Sequence, residues 1–113
     1  MKTTDKYLVL EKALYKALAK AQQAKQSDDG GTCNFDSPTI NYRAMGLQKV
    51  KTIETIKKVG LSCFEWKGYD KTNRLVVCGM TAGQGNCRTA MAEAFQKELI
   101  RQNVPSGMYY QMD

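Results

Sequence analysis

Residues 74–99, RLVVCGMTAGQGNCRTAMAEAFQKEL, decide the fold this chain adopts. Leu75, Val76, Val77 and Cys78 run apolar without a break between Arg74 and Gly79, the signature of a central strand buried on both faces. The loop Thr81-Ala82-Gly83-Gln84-Gly85-Asn86 supplies glycines for positive φ, and Asn86 is a favoured N-cap. The spacing predicts a helix from about Cys87, with Met91, Ala92, Phe95 and Leu99 on its core face and Glu93, Lys97 and Arg101 elsewhere on the wheel. Pro105 and Gly107 stop that helix, and Met108-Tyr109-Tyr110-Gln111-Met112 reads as a closing strand.

Upstream of Arg74, Leu61 to Lys67 is a second strand in which Phe64 and Trp66 share one face and Cys63 and Glu65 the other. A turn through Gly68-Tyr69-Asp70-Lys71-Thr72-Asn73 joins the two strands as a hairpin. Before it lies a helix from about Gly46 to Val59, with Leu47, Val50, Ile53 and Ile56 inward and Gly60 as its C-cap glycine. Thr32-Cys33-Asn34-Phe35-Asp36 forms the first strand, Ser37-Pro38 ends it, and residues 39–45 connect it to the helix. The chain opens with a helix over residues 5–25 whose apolar face is Tyr7, Leu10, Leu14, Ala17, Leu18 and Ala21.

Strands at 32–36, 61–67, 74–80 and 107–112 with two intervening helices make a βαββαβ chain. That is the pattern of a ferredoxin-like α+β fold: an antiparallel sheet of order 4-1-3-2 with both later helices on one face. All 113 residues then belong to one domain, with the first helix either capping the other face or mediating contacts. This topology sets Asp28–Thr32 beside Gly79–Asn86, bringing Gly30 close to Gly85, with Gly60 and Asp113 at the same rim.

Composition narrows the chemistry. Seventeen Lys and Arg against eleven Asp and Glu give a net charge of +6, which favours polyanions or acidic protein surfaces as partners. The absence of histidine excludes histidine triads, histidine general bases and histidine metal ligands. The apolar run Tyr7–Leu10 is too short for a signal-peptide core or a membrane span, so a cytoplasmic protein is expected. Cys33, Cys63, Cys78 and Cys87 are widely spaced without a C-x-x-C pair, which reads as free thiols and not as a metal site.

Two groups of residues are candidates for contact. Lys12, Lys16 and Lys20, four residues apart, form a basic ridge on the first helix. Gly83, Gln84, Gly85 and Asn86 open a helix whose amide end, with Arg88 as counter-charge, suits a phosphate or carboxylate; the motif is neither a P-loop nor a dinucleotide fingerprint. Cys87 beside Arg88 has the setting of a lowered thiol pKa but lacks a histidine to activate it, and Asp28-Asp29 reads as a helix stop. Phe35, Phe64, Trp66, Tyr69, Tyr109 and Tyr110 raise an RNA-binding sheet, yet the third strand is aliphatic. Trp66 and Tyr69 are better used as protein-interface anchors.

With the stretches DDGGTCNFD, TAGQGNCRTAMAEAF and YYQMD, this short, basic chain resembles the small orphan proteins of phages and mobile elements in Firmicutes-like bacteria, a group that includes anti-CRISPR and other counter-defence inhibitors. The resemblance implies a non-enzymatic inhibitor, without cofactor or metal, that binds a protein or protein–nucleic acid complex. The alternatives are direct nucleic-acid binding through the lysines and small-ligand or enzymatic use of the Gly83–Arg88 loop.

Overall fold

The computed structural model describes residues 5–24, 37–67, 73–80 and 86–109, without the side chains of 86–89. Its elements in order are α1 (Lys6–Gln23), β1 (Ser37–Ile40), a 3₁₀ turn (Tyr42–Met45), α2 (Lys49–Lys58), β2 (Ser62–Lys67), β3 (Asn73–Cys78), α3 (Asn86–Arg101) and β4 (Ser106–Tyr109). The described residues form an α+β structure in which all strand pairs are antiparallel and the sheet order is β2-β3-β1-β4.

One local device ends all three later helical segments. A residue in the left-handed region follows the last turn, and the next residue donates back five positions while plugging an apolar side chain into the core. After the 3₁₀ turn it is Gly46 (φ 71°), with Leu47 N donating to Tyr42 O at 3.0 Å. After α2 it is Gly60 (φ 88°), with Leu61 N to Ile56 O at 3.2 Å. After α3 it is Asn103 (φ 64°), with Val104 N to Leu99 O at 2.9 Å. Leu47, Leu61 and Val104 are all buried. Gly60 therefore acts as expected, whereas Gly46 closes the 3₁₀ turn and does not begin a helix. The third helix stops at Asn103, ahead of the Pro105 and Gly107 expected to stop it.

The first strand departs most from expectation. It lies at Ser37–Ile40, in the stretch read as strand end and connection, while residues 32–36 lie outside the described residues. In sequence Pro38 reads as a terminator because it lacks the N–H that a ladder needs. Here Asn41 N donates to Pro105 O at 3.0 Å, so alternation turns the odd positions toward β4 and aims Pro38 at β3. The β1–β3 register runs only through Thr39–Val76 and Ile40–Leu75, so Pro38 sits beyond its end. The glycine rim around Gly30 and Gly85 also falls outside the described residues.

α1 is capped by Asp5, whose carboxylate accepts from Tyr7 N at 2.9 Å and Leu8 N at 3.3 Å. Its inward face, Leu10, Ala13, Leu14, Ala17 and Ala21, is buried. The helix packs extensively against α3 and also against α2, so it joins the helix layer and does not cap the other side of the sheet. Ala13, Ala17 and Ala21 are small and four residues apart, which lets a neighbouring helix come close. Gln48 N donates to the Tyr7 hydroxyl at 2.9 Å, Lys6 Nζ to Met45 O at 3.2 Å, and Lys58 pairs with Glu11 at 2.9 Å. Beneath, Ile40, Leu75 and Val77 of the sheet join Ile56, Val59, Met91, Phe95 and Leu99 in one core.

α2 is rotated relative to the sequence reading. Val50, expected inward, is 62% exposed, while Thr52 and Thr55 are buried. Their hydroxyls donate to carbonyls one turn back, Thr52 Oγ1 to Gln48 O at 2.6 Å and Thr55 Oγ1 to Lys51 O at 2.9 Å. A threonine satisfied this way presents its methyl group to the core, so a hydropathy pattern ranks it wrongly below valine. Glu98 is a second such case. Its buried carboxylate accepts from Arg101 Nε at 3.0 Å, Arg101 Nη2 at 2.9 Å and Gln102 Nε2 at 2.6 Å.

Candidate interaction surface

Strand alternation sends Leu75 and Val77 toward the helices, and therefore Arg74, Val76 and Cys78 toward the opposite face. In register with them on that face stand Ser62, Phe64 and Trp66 of β2, Ser37 and Thr39 of β1, and Gly107 and Tyr109 of β4. No described helix covers this side. Even so, Val76 is 0% and Thr39 1% exposed. Phe64, the cross-strand neighbour of Val76, brings an aromatic ring to this face.

Phe64 and Trp66 stand on one edge strand and Tyr109 on the other, about 14 Å apart at three strand spacings. Their rings nevertheless meet: Phe64 and Tyr109 at 5.8 Å between centroids and 86° between planes, Trp66 and Tyr109 at 5.1 Å and 71°. Both are edge-to-face contacts of the favourable kind. Between the edges on this face stand Val76, Thr39 and Gly107 in one row, and a Cβ at Gly107 would stand tightly, 3.3 Å from Thr39 Oγ1, and 3.6 Å from Arg74 Nη1.

The short strand β4 is clasped in place. Ser106 Oγ donates to Thr39 O at 2.6 Å, Gly107 N donates to Thr39 Oγ1 at 3.1 Å, and Gln96 Nε2 of α3 donates to Ser106 O at 3.3 Å. Tyr109 thus follows, by three and two residues, the clasped positions Ser106 and Gly107. At the Trp66 end, Arg74 is the cross-strand neighbour of Trp66 and also lines an open groove of about 420 Å³ with Asn41, Ile100, Asn103, Val104, Pro105 and Ser106. Arg74 is the one charged residue that the described strands present on this face. The arrangement offers an apolar aromatic patch, a guanidinium at its border and amide groups beyond.

Of the residues singled out in the sequence, Trp66 lies in this patch. Phe64, Arg74 and Tyr109 join it without having been chosen as site residues. Alternation in FEWK signalled Phe64 and Trp66, but nothing local signals that Tyr109 reaches them from the far edge. The rings close on one another and the central strands contribute Thr39, Val76 and Arg74, so the face differs from a platform of open rings that stack on bases. Lys12, Lys16 and Lys20 are exposed on α1, in the helix layer on the other side of the sheet. Lys20 lies near enough to Glu98 to add to the charge that holds its carboxyl below the ordinary range, an effect led by the bonds from Arg101 and Gln102.

Tyr69, Gly83, Gln84 and Gly85 lie outside the described residues. Asn86 and Arg88 fall in the first turn of α3, with side chains outside the described residues, as does Cys87. Cys63 and Cys78 are free and half-buried. Burial pushes the Cys63 thiol up, away from thiolate reactivity. Among the described residues, no three His, Cys, Asp or Glu side chains gather as a metal site, and no helix is long and apolar enough to cross a membrane. Comparison with known proteins brings no match: no family model, curated protein or solved structure is similar to this chain.

Proposed function

We propose that this protein is a small non-enzymatic binding protein that docks on a protein surface through the Phe64–Trp66–Tyr109 face of its sheet. The observation that carries this reading is the edge-to-face closure of three aromatic rings on a side that no described helix covers. A half-exposed aromatic cluster bordered by an arginine has the composition of an interface hot spot. We read the βαββαβ order as a ferredoxin-like sheet with α1 added to its helix layer. The resemblance to counter-defence proteins makes an inhibitor of a nucleic-acid-handling complex the role that best fits a basic chain of this size.

Affinity capture with the tagged full chain from its native host tests this. A protein partner retained by the wild type at raised salt, and lost with Phe64→Ser plus Trp66→Ser, supports the reading. Capture that survives those substitutions but is released steeply by salt refutes it and transfers the binding to Lys12, Lys16 and Lys20, which are exposed together on α1.

A further inference from the structure

The outward side of α1 is a second surface, turned away from the aromatic face. Leu8, Lys12, Tyr15 and Ala19 follow each other at intervals of four, three and four, which places them within about 60° of the helix circumference. Leu8 is 46% and Tyr15 50% exposed, while Val9, 40% exposed, stands about 100° round the helix from Leu8, beyond Lys12 and Lys16. Lys12 and Lys16 are exposed in the same band, and neither has a carboxylate partner among the described residues. Glu11 is the one acid within the helix, and it is turned toward α2 by its 2.9 Å pair with Lys58. The band is therefore apolar along its centre and positive along its flank.

We infer that this band docks an acidic amphipathic helix of a partner protein. Charge complementarity selects the occupant. A second copy of the chain would bring the same lysines and a further charge of +6 against them. A nucleic acid would neutralise the lysines but leave Leu8, Val9 and Tyr15 without an apolar counterpart. A helix with leucines on one face and glutamates beside them satisfies both features. The band from residue 8 to 19 is straight and about 16 Å long, three turns of a helix laid alongside at 8–10 Å.

The probe is a synthetic 18-residue helix-forming peptide with leucines at i, i+3, i+4 and i+7 and glutamates flanking them. It is compared with a scrambled peptide of equal composition and with a single-stranded DNA of equal charge, by fluorescence anisotropy on the full chain. The amphipathic peptide binds at least tenfold more tightly than either control. Leu8→Ser with Tyr15→Ser weakens it about tenfold, as does Lys12→Glu with Lys16→Glu, while circular dichroism stays at the wild-type level. Phe64→Ser with Trp66→Ser leaves this binding unchanged, which separates the outcome from that for the aromatic face. Equal binding of the scrambled peptide, tighter binding of the DNA, or no binding of the amphipathic peptide overturns the inference.

Discussion

Replacing Tyr109 with alanine removes the ring that joins the two edges of the sheet. Tyr109 makes two edge-to-face contacts, with Phe64 at 5.8 Å and Trp66 at 5.1 Å. Each such pair is worth roughly 0.5–1.5 kcal/mol beyond the area it buries, so the two together account for about 1–3 kcal/mol. Loss of the apolar area that the half-buried Tyr109 ring itself removes from water adds on the order of 1 kcal/mol. The sum, roughly 2–4 kcal/mol, is a large share of the 5–15 kcal/mol by which a domain of this size is stable, yet leaves it folded. Trp66 is the one tryptophan of the chain, so intrinsic fluorescence reads the patch directly. Tyr109→Ala should shift its emission to the red in the native baseline and lower the urea midpoint. A double-mutant cycle with Phe64→Ala should give a coupling of about 0.5–1.5 kcal/mol, while Tyr15→Ala on α1 stays within about 0.5 kcal/mol of wild type. An unchanged emission maximum together with a coupling near zero would refute the idea that the rings pack across the sheet.

Four further outcomes follow from single sites. Thr39→Val should destabilise by about 0.5–1.5 kcal/mol in urea titrations because it removes the hydroxyl that accepts from the half-buried Gly107 N–H. Thr52→Val should stay within about 0.5 kcal/mol, since its hydroxyl donates to a Gln48 carbonyl that already accepts from Thr52 N. Gly60→Ala meets no atom within 4 Å, so its whole effect comes from φ 88°; the strain of about 1–2 kcal/mol less the unfolded-state gain of about 0.4–1 kcal/mol leaves a loss near 1 kcal/mol. The Glu98 carboxyl titrates lower in the folded chain than unfolded, so its contribution is present above the ordinary carboxylate pKa and is lost as pH falls through the folded value. Stability measured from pH 7 down to about 2 should therefore fall less steeply on the acid side for Glu98→Gln than for wild type.

Helix faces were legible because each depends on residues three and four apart in one element. Leu10, Leu14, Ala17 and Ala21 of α1 and Met91, Ala92, Phe95 and Leu99 of α3 are buried as their spacing requires. The double burial of Leu75, Val76 and Val77 was equally readable, although what covers Val76 was not. Val50 and Thr52 exchanged roles because a hydroxyl that bonds its own backbone no longer counts as polar. β1 was misplaced because one proline in a central strand is tolerated only where a particular neighbour's ladder has ended, and that is a property of the pairing.

What the sequence determined by itself is therefore local: which faces of α1 and α3 are apolar, that Gly60 takes a left-handed stop, and that the strand read at 74–80 is buried at Leu75, Val76 and Val77. Backbone sterics and side-chain spacing act over a few residues and need no partner to be read. Tertiary structure alone decided that α1 lies against α2 and α3, and that Tyr109 crosses two strands to reach Trp66. Those contacts join residues more than 40 positions apart, and their energies come from surfaces that do not exist until the sheet and the helix layer have closed on each other.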